Sequence, residues 1–219
     1  MGSASHIALF RTVLLLLAVA LPNAAGAAPS DSLQSSGERV PWEFSVGGYY
    51  YALPADDDVF IPVASADRGA LHLEARYNYE DLKTASLFAG WTISAGEPFT
   101  IELTPMAGVA FGRTTGIVPA LEASLGYGMF DFYVESEYLF DLNDNSGNFF
   151  YSWLELGVAP IELVRAGVTA QRTRIFESPL EVDRGLFAQL TPEPGTVSLY
   201  AFNLLTESWF LVVGLEFAL

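Results

Sequence analysis

The chain has no cysteine, a single lysine (Lys83) and two histidines among 219 residues. Without thiols it forms no disulfide, offers no thiolate to a metal and carries no lipid on an N-terminal cysteine. His6 falls in the leader described next, so His72 is the one histidine of the body, and no metal or cofactor is expected. Ten basic residues stand against 26 acidic ones, the net charge is −16, and there is no basic cluster. That balance excludes nucleic acid as a partner. Long apolar runs are scarce too. The best of them, 12–21, is shorter than the roughly 20 residues a helix needs to cross a bilayer.

That run belongs to an export signal. His6 and Arg11 precede it, Pro22 and Asn23 follow, and the small residues 24–28 offer an A-x-A site at Ala25-Gly26-Ala27. Residues 1–27 therefore read as a signal peptide cleaved after Ala27, with export into the periplasm. Residues 28–41, small, polar and flanked by prolines, read as a flexible periplasmic tail.

What is present looks contradictory at first. The chain is strongly acidic, yet 51% of its residues are hydrophobic and its mean hydropathy is +0.32. The stretch 70–80 resolves the conflict. Leu71, Leu73, Ala75, Tyr77 and Tyr79 share one parity, while His72, Glu74, Arg76, Asn78 and Glu80 share the other. A strand sends alternate side chains to opposite faces, so this segment has one apolar and one ionic side. Most of the chain repeats the pattern. Strands are predicted at 42–51, 59–66, 70–80, 84–94, 99–112, 117–127, 129–141, 149–158, 163–174, 182–190, 196–203 and 208–219.

Twelve such strands predict an all-β, antiparallel transmembrane barrel over residues 42–219. Ten follow if the irregular region 182–203 is misread. An even count puts both ends of the chain on one side, and the longer connections then fall on the opposite, external rim. Trp42, Trp91, Phe99, Tyr127, Phe130 and Phe217 end strands on the periplasmic side. Tyr50, Tyr77, Tyr79, Phe111, Tyr138, Phe140, Phe150 and Trp209 do so on the external side. Two aromatic belts at the membrane interfaces are the expected result.

On these features the mature region resembles the bacterial outer-membrane β-barrel proteins as a class, with no particular subfamily singled out. The last strand, 208–219, is similar to their assembly signal, although it closes on Leu219 where Phe is commonest. The resemblance implies a place in the outer membrane of a Gram-negative bacterium. Its implied partners are membrane lipid, lipopolysaccharide and, through 208–219, the outer-membrane assembly machinery.

The inward face carries the chemistry. By parity it holds His72, Glu74, Arg76, Glu102, Glu122, Glu135, Glu137, Glu155, Arg165 and Glu216. Two readings stay open. In a water-filled lumen the carboxylates favour cations, giving a narrow porin-like channel for small ions or solutes. In a filled lumen they are tied to Arg76 and Arg165. Inward Tyr49, Tyr51, Phe88, Tyr133 and Phe187 favour filling, while Gly47, Gly90, Gly108, Gly126, Gly167 and Gly214 leave space for conduction. A lipid-modifying enzyme needs a histidine and a serine together at the lipid face. His72 points inward and no serine sits in a G-x-S-x-G context, so no enzyme is expected. The acidic loops at 56–58 and 141–147 are read as solvated charge rather than calcium sites. Arg172 and Arg174 have outward parity near an external strand end, where lipopolysaccharide phosphates are within reach.

Overall fold

The computed structural model describes residues 40–144, 147–175 and 181–219. The expected signal peptide and most of the expected tail lie outside the described residues. The strands are β1 (Glu43–Ala52), β2 (Val59–Arg68), β3 (Leu71–Tyr77), β4 (Thr84–Trp91), β5 (Ile93–Gly96), β6 (Phe99–Gly112), β7 (Gly116–Tyr127), β8 (Phe130–Asp141), β9 (Phe149–Ile161), β10 (Val164–Ile175), β11 (Glu181–Leu190), β12 (Gly195–Phe202) and β13 (Phe210–Ala218). Each pairs antiparallel with its neighbour in the chain, apart from β4 and β5, which both pair with β6. β1 pairs with β13 from Ser45↔Ala218 to Ala52↔Leu211, which closes the sheet.

β4 and β5 are two halves of one barrel strand. Gly90↔Met106 and Ile93↔Leu103 belong to a single register on β6, and that register puts Trp91 opposite Pro105. The Thr92 N–H points the other way, to Ala70 O at 2.8 Å. Trp91 therefore turns its carbonyl toward Pro105, which has no N–H to give, and the ladder skips there. The barrel has twelve strands. The irregular region does contain two of them, β11 and β12, which removes the ten-strand alternative.

Connections differ between the rims. Segments 53–58, 78–83, 113–115 and 203–209 lie on one rim, while 69–70, 97–98, 128–129 and 162–163 are two-residue turns on the other. Gly69 and Gly128 adopt φ of +61° and +60°, which those tight turns require.

Parity decides burial along almost every strand. Phe44, Leu87, Leu103, Val109, Leu186 and Leu215 are exposed on the outer wall, whereas Thr104, Glu122, Glu135 and Glu155 are buried inside. With no aqueous partner for its backbone in lipid, a spanning sheet must close, and this one does. The aromatic belts are present: Trp91, Phe99, Tyr127 and Phe130 ring the short-turn end, and Tyr50, Tyr77, Phe111, Phe140 and Trp209 the other. Tyr79 corrects the expectation. It is buried inside the barrel, because β3 stops at Tyr77 and the alternation stops with it.

Candidate functional site

The functional side chains gather inside the barrel around two arginines. Arg76, on β3, has its guanidinium wholly buried. It bonds Glu74 through Nε, and its Nη1 lies 2.9 Å from Glu135 and 3.2 Å from Glu137, its Nη2 3.7 Å from Glu122. Glu122 sits opposite Glu135 in the β7–β8 register, and β3 sends Arg76 across the lumen to reach them. The guanidinium is also held between two rings, with the Tyr79 centroid at 4.1 Å and that of Phe88 at 4.5 Å.

Tyr79 and Glu80 reach this place through a local backbone reversal. Asn78 adopts φ +59°, a left-handed conformation that asparagine tolerates better than most residues. Its Oδ1 accepts the Lys83 N–H at 2.8 Å, its Nδ2 donates to Phe60 O, and its own N–H donates to Thr84 O. The segment therefore folds into the barrel mouth. The Tyr79 hydroxyl donates to Glu135 at 2.6 Å, and the Tyr79 ring meets Tyr151 edge-on. The Glu80 side chain lies buried beside Ser86, and burial raises its carboxyl above the ordinary value. On the rim, Asp81 fastens the segment, accepting from Arg113, from Thr114 Oγ1 at 2.7 Å and from Leu82 N at 2.9 Å.

Arg165, on β10, makes the second group. It bonds Asp131 and Glu155, and its guanidinium stacks over Phe187 at 4.6 Å. The Trp153 indole donates to Glu155 at 2.9 Å, and that ring meets Tyr200 and Phe202 edge-on at 5.0 and 5.2 Å. Tyr51, Tyr151, Tyr200, Phe202 and Trp153 are all buried, so aromatic rings fill the space between the ionic groups.

The inward glycines are occupied rather than open. A Cβ at Gly108 would lie 2.4 Å from the Phe88 ring, one at Gly214 would lie 2.6 Å from Tyr49, and one at Gly90 would lie 2.6 Å from Met106. Each of these three is a recess that takes a neighbour's side chain, while Gly47 and Gly167 lie closest to a backbone carbonyl of the adjacent strand. The space expected from them for conduction is used for packing.

No family model matches the chain, and no curated protein does. Among solved structures, the KdgM porin matches with a TM-score of 0.61 at 10% identity, covering 79% of this chain and 98% of its own. A structure of the KdgM porin in complex with disordered oligogalacturonate matches equally. OccK5 (OpdH) of Pseudomonas aeruginosa matches at a TM-score of 0.44 and 9% identity, over 81% of this chain and 67% of its own. The fold is a closed transmembrane β-barrel similar to that of the KdgM porin.

Within this barrel the remaining expected residues are dispersed. Glu102 is half-buried near the short-turn rim and accepts from Ser94 Oγ at 3.3 Å, and Glu216, also half-buried, lies opposite Gly47 and Thr196. His72 is buried, with Nδ1 2.7 Å from Asp67, and joins neither arginine group. Arg172 stands on the outer wall with its guanidinium 5.9 Å from the Phe150 ring. The Arg174 side chain lies outside the described residues. In the loops, Asp58 accepts from the Tyr50 hydroxyl and from Leu53 N, and Asp141 accepts from Asn143 N and Asp144 N. These are turn-closing bonds. Sequence reasoning missed Glu80, Tyr79 and Asp131 as members of the site. Asp131 and Glu80 had the right parity, whereas the signal for Tyr79 was the asparagine at 78.

Proposed function

We propose that the protein is an integral outer-membrane barrel whose lumen is closed by its own side chains, so that it acts through its rims and lipid-facing wall rather than as an open pore. The observation that carries this reading is the burial at mid-lumen. Arg76, Glu135, Glu137, Trp153, Tyr151 and Tyr200 are all within 3% of complete burial. A conducting lumen needs a continuous wetted path, and burial this deep on side chains from several strands argues against one. Residence in a Gram-negative outer membrane is supported by the apolar outer wall and the fold. The assembly machinery is the expected partner of the closing strand.

The KdgM porin has been seen in complex with disordered oligogalacturonate, a polyanion. This lumen is unsuited to such a ligand. Five carboxyls (Glu74, Glu80, Glu122, Glu135 and Glu137) surround Arg76, and two more (Asp131 and Glu155) surround Arg165. The surplus repels anions.

One observation favours a second reading, a gated cation-favouring channel. Two closing residues, Tyr79 and Glu80, belong to a connection and not to the wall. Planar-bilayer recording of the refolded wild type and of a Tyr79→Ala/Glu80→Ala variant separates the two. The closed-barrel reading expects silence from both. Steady cation-selective current in the wild type would overturn it, and current only in the variant would establish the gate.

A further inference from the structure

The outer wall carries two outward cations on neighbouring strands. Arg172 lies opposite Ser152 on β9 and Val182 on β11, and Arg184 lies opposite Ala170 on β10. Both are exposed, and among the described residues neither makes an ion pair. An unpaired guanidinium on a lipid-facing strand is unfavourable unless water or an anion meets it.

Beside Arg184 is a groove of about 360 Å³ on the same wall. Its lining includes Phe132, Leu154, Leu156, Val168 and Ala170, with Arg184 at one end and the inward-parity residues Glu155 and Thr169 behind. Ala170 makes the depression. Its register partners are Leu154 and Arg184, so a methyl group lies between two long side chains. The groove is apolar toward Leu156 and Val168, which are nearer the short-turn rim. Arg184, and then Arg172, lie at the end nearer the long connections. The Ser136 and Ser152 hydroxyls, 2.8 Å apart, sit in the same row as Arg172.

We propose that this wall of β8–β11 binds one phosphorylated, acylated lipid of the outer leaflet, of the lipopolysaccharide class. An acyl chain lies over Ala170 and a head-group phosphate meets Arg184 and Arg172. The proposal rests on the outer-membrane reading, with the long connections outside, which brings the arginine end to the external leaflet. The occupant follows from charge and position. Lipid covers an outer barrel wall wherever no second protein does, and a guanidinium fork matches phosphate oxygens. Neighbouring strands lie about 4.8 Å apart, so two arginines on adjacent strands can converge on one polyphosphorylated head group.

The test is binding of bisphosphorylated lipid A to the refolded, detergent-solubilised barrel by native mass spectrometry, with phosphatidylglycerol as the competing anionic lipid. Wild type is expected to bind lipid A at least tenfold more tightly than phosphatidylglycerol. Arg172→Gln/Arg184→Gln should lose at least tenfold toward lipid A. Ala170→Phe, which fills the groove at unchanged charge, should lose a similar factor; if it fails to fold, Ala170→Val makes the same test. Folding is checked by heat-modifiable gel migration. Unchanged lipid A binding in the arginine variant overturns the proposal. Equal binding of the two lipids overturns the outer-leaflet assignment with it. The readout involves no conductance, so its failure leaves the closed-lumen reading standing, and current through the lumen leaves the groove standing.

Discussion

The two arginine groups inside the barrel look alike on paper and differ in what they can tolerate. Arg76 has no exposed side-chain surface and faces five carboxyls, one of them borne by a connection. Arg165 keeps 11% of its side chain exposed and faces two. Full burial removes water as the alternative partner, so around Arg76 every loss is uncompensated. Around Arg165 solvent can enter. The comparison teaches that the closed state depends on the Arg76 group, with the Arg165 group as its more forgiving neighbour.

Breaking each group in turn is the strongest test of that difference. Arg76→Gln removes the guanidinium from a cluster that cannot hydrate, and losing one partner of a buried pair costs about 3–5 kcal/mol. The expected result is a large fall in the urea midpoint of the refolded barrel. Arg165→Gln should cost visibly less, because water reaches Asp131. Equal losses would show that burial does not separate the groups.

A parity test sharpens the contrast between lumen and wall. Leu103→Arg puts a charge on the lipid face, where the cost is about 2–4 kcal/mol at the bilayer midplane and falls toward either rim. Glu102→Arg, one residue away at the half-exposed short-turn rim, should be much milder in the same unfolding assay. A closed lumen adds a condition that an open one would lack. Thr104→Arg, on the inner face, should also be severe, because Thr104 is buried against packed side chains.

Tyr79→Phe asks how much the inserted segment contributes to the Arg76 group. It deletes a hydroxyl that donates to Glu135 at 2.6 Å in a buried setting. Hydrogen bonds to charged groups contribute about 1.5–3 kcal/mol, so a loss in that range is expected by denaturant titration. No change would mean that Glu135 is served by Arg76 alone.

How much of this was legible in the sequence follows from the period. An alternation of two fixes which side chains go inward, and Arg76, Glu122, Glu135, Glu137, Arg165 and Glu155 were all placed inside by it. Their pairing with the two arginines needed only that like-charged groups seek the few cations present. Alternation is silent where the ladder stops. Tyr79 has outward parity on an extended strand, and a positive φ at Asn78 sends it in instead. The glycines misled for a related reason. A missing side chain reads as empty space in one strand, yet Phe88 and Tyr49 come from other strands to fill it. Filling is a property of the closed barrel, so single strands do not encode it. Arg184 escaped notice because its groove depends on Ala170 across a register that only the folded sheet supplies.

The smallest expected effects come from two carboxyls in connections, and they should move with pH in opposite directions. Burial, partly offset by Arg76, holds the Glu80 carboxyl above its ordinary value. A raised folded value means that its stabilising contribution is complete below the unfolded carboxyl range and is lost as pH rises through the folded value. Asp58 is the reverse case. It is exposed, and the Tyr50 hydroxyl, then the Leu53 N–H, hold its carboxyl below the ordinary value. Its contribution is complete above the unfolded range and is lost as pH falls through the lowered value. Unfolding midpoints of wild type, Glu80→Gln and Asp58→Asn across acid and neutral pH make the check. Glu80→Gln should flatten the decline on the rising side, and Asp58→Asn should flatten a shallower one on the acid side, screened by solvent and by salt. A rising-side decline as large in Glu80→Gln as in the wild type would mean that the inserted segment does not carry its buried carboxyl into the lumen, and the contrast between the two arginine groups would then rest on the strands alone.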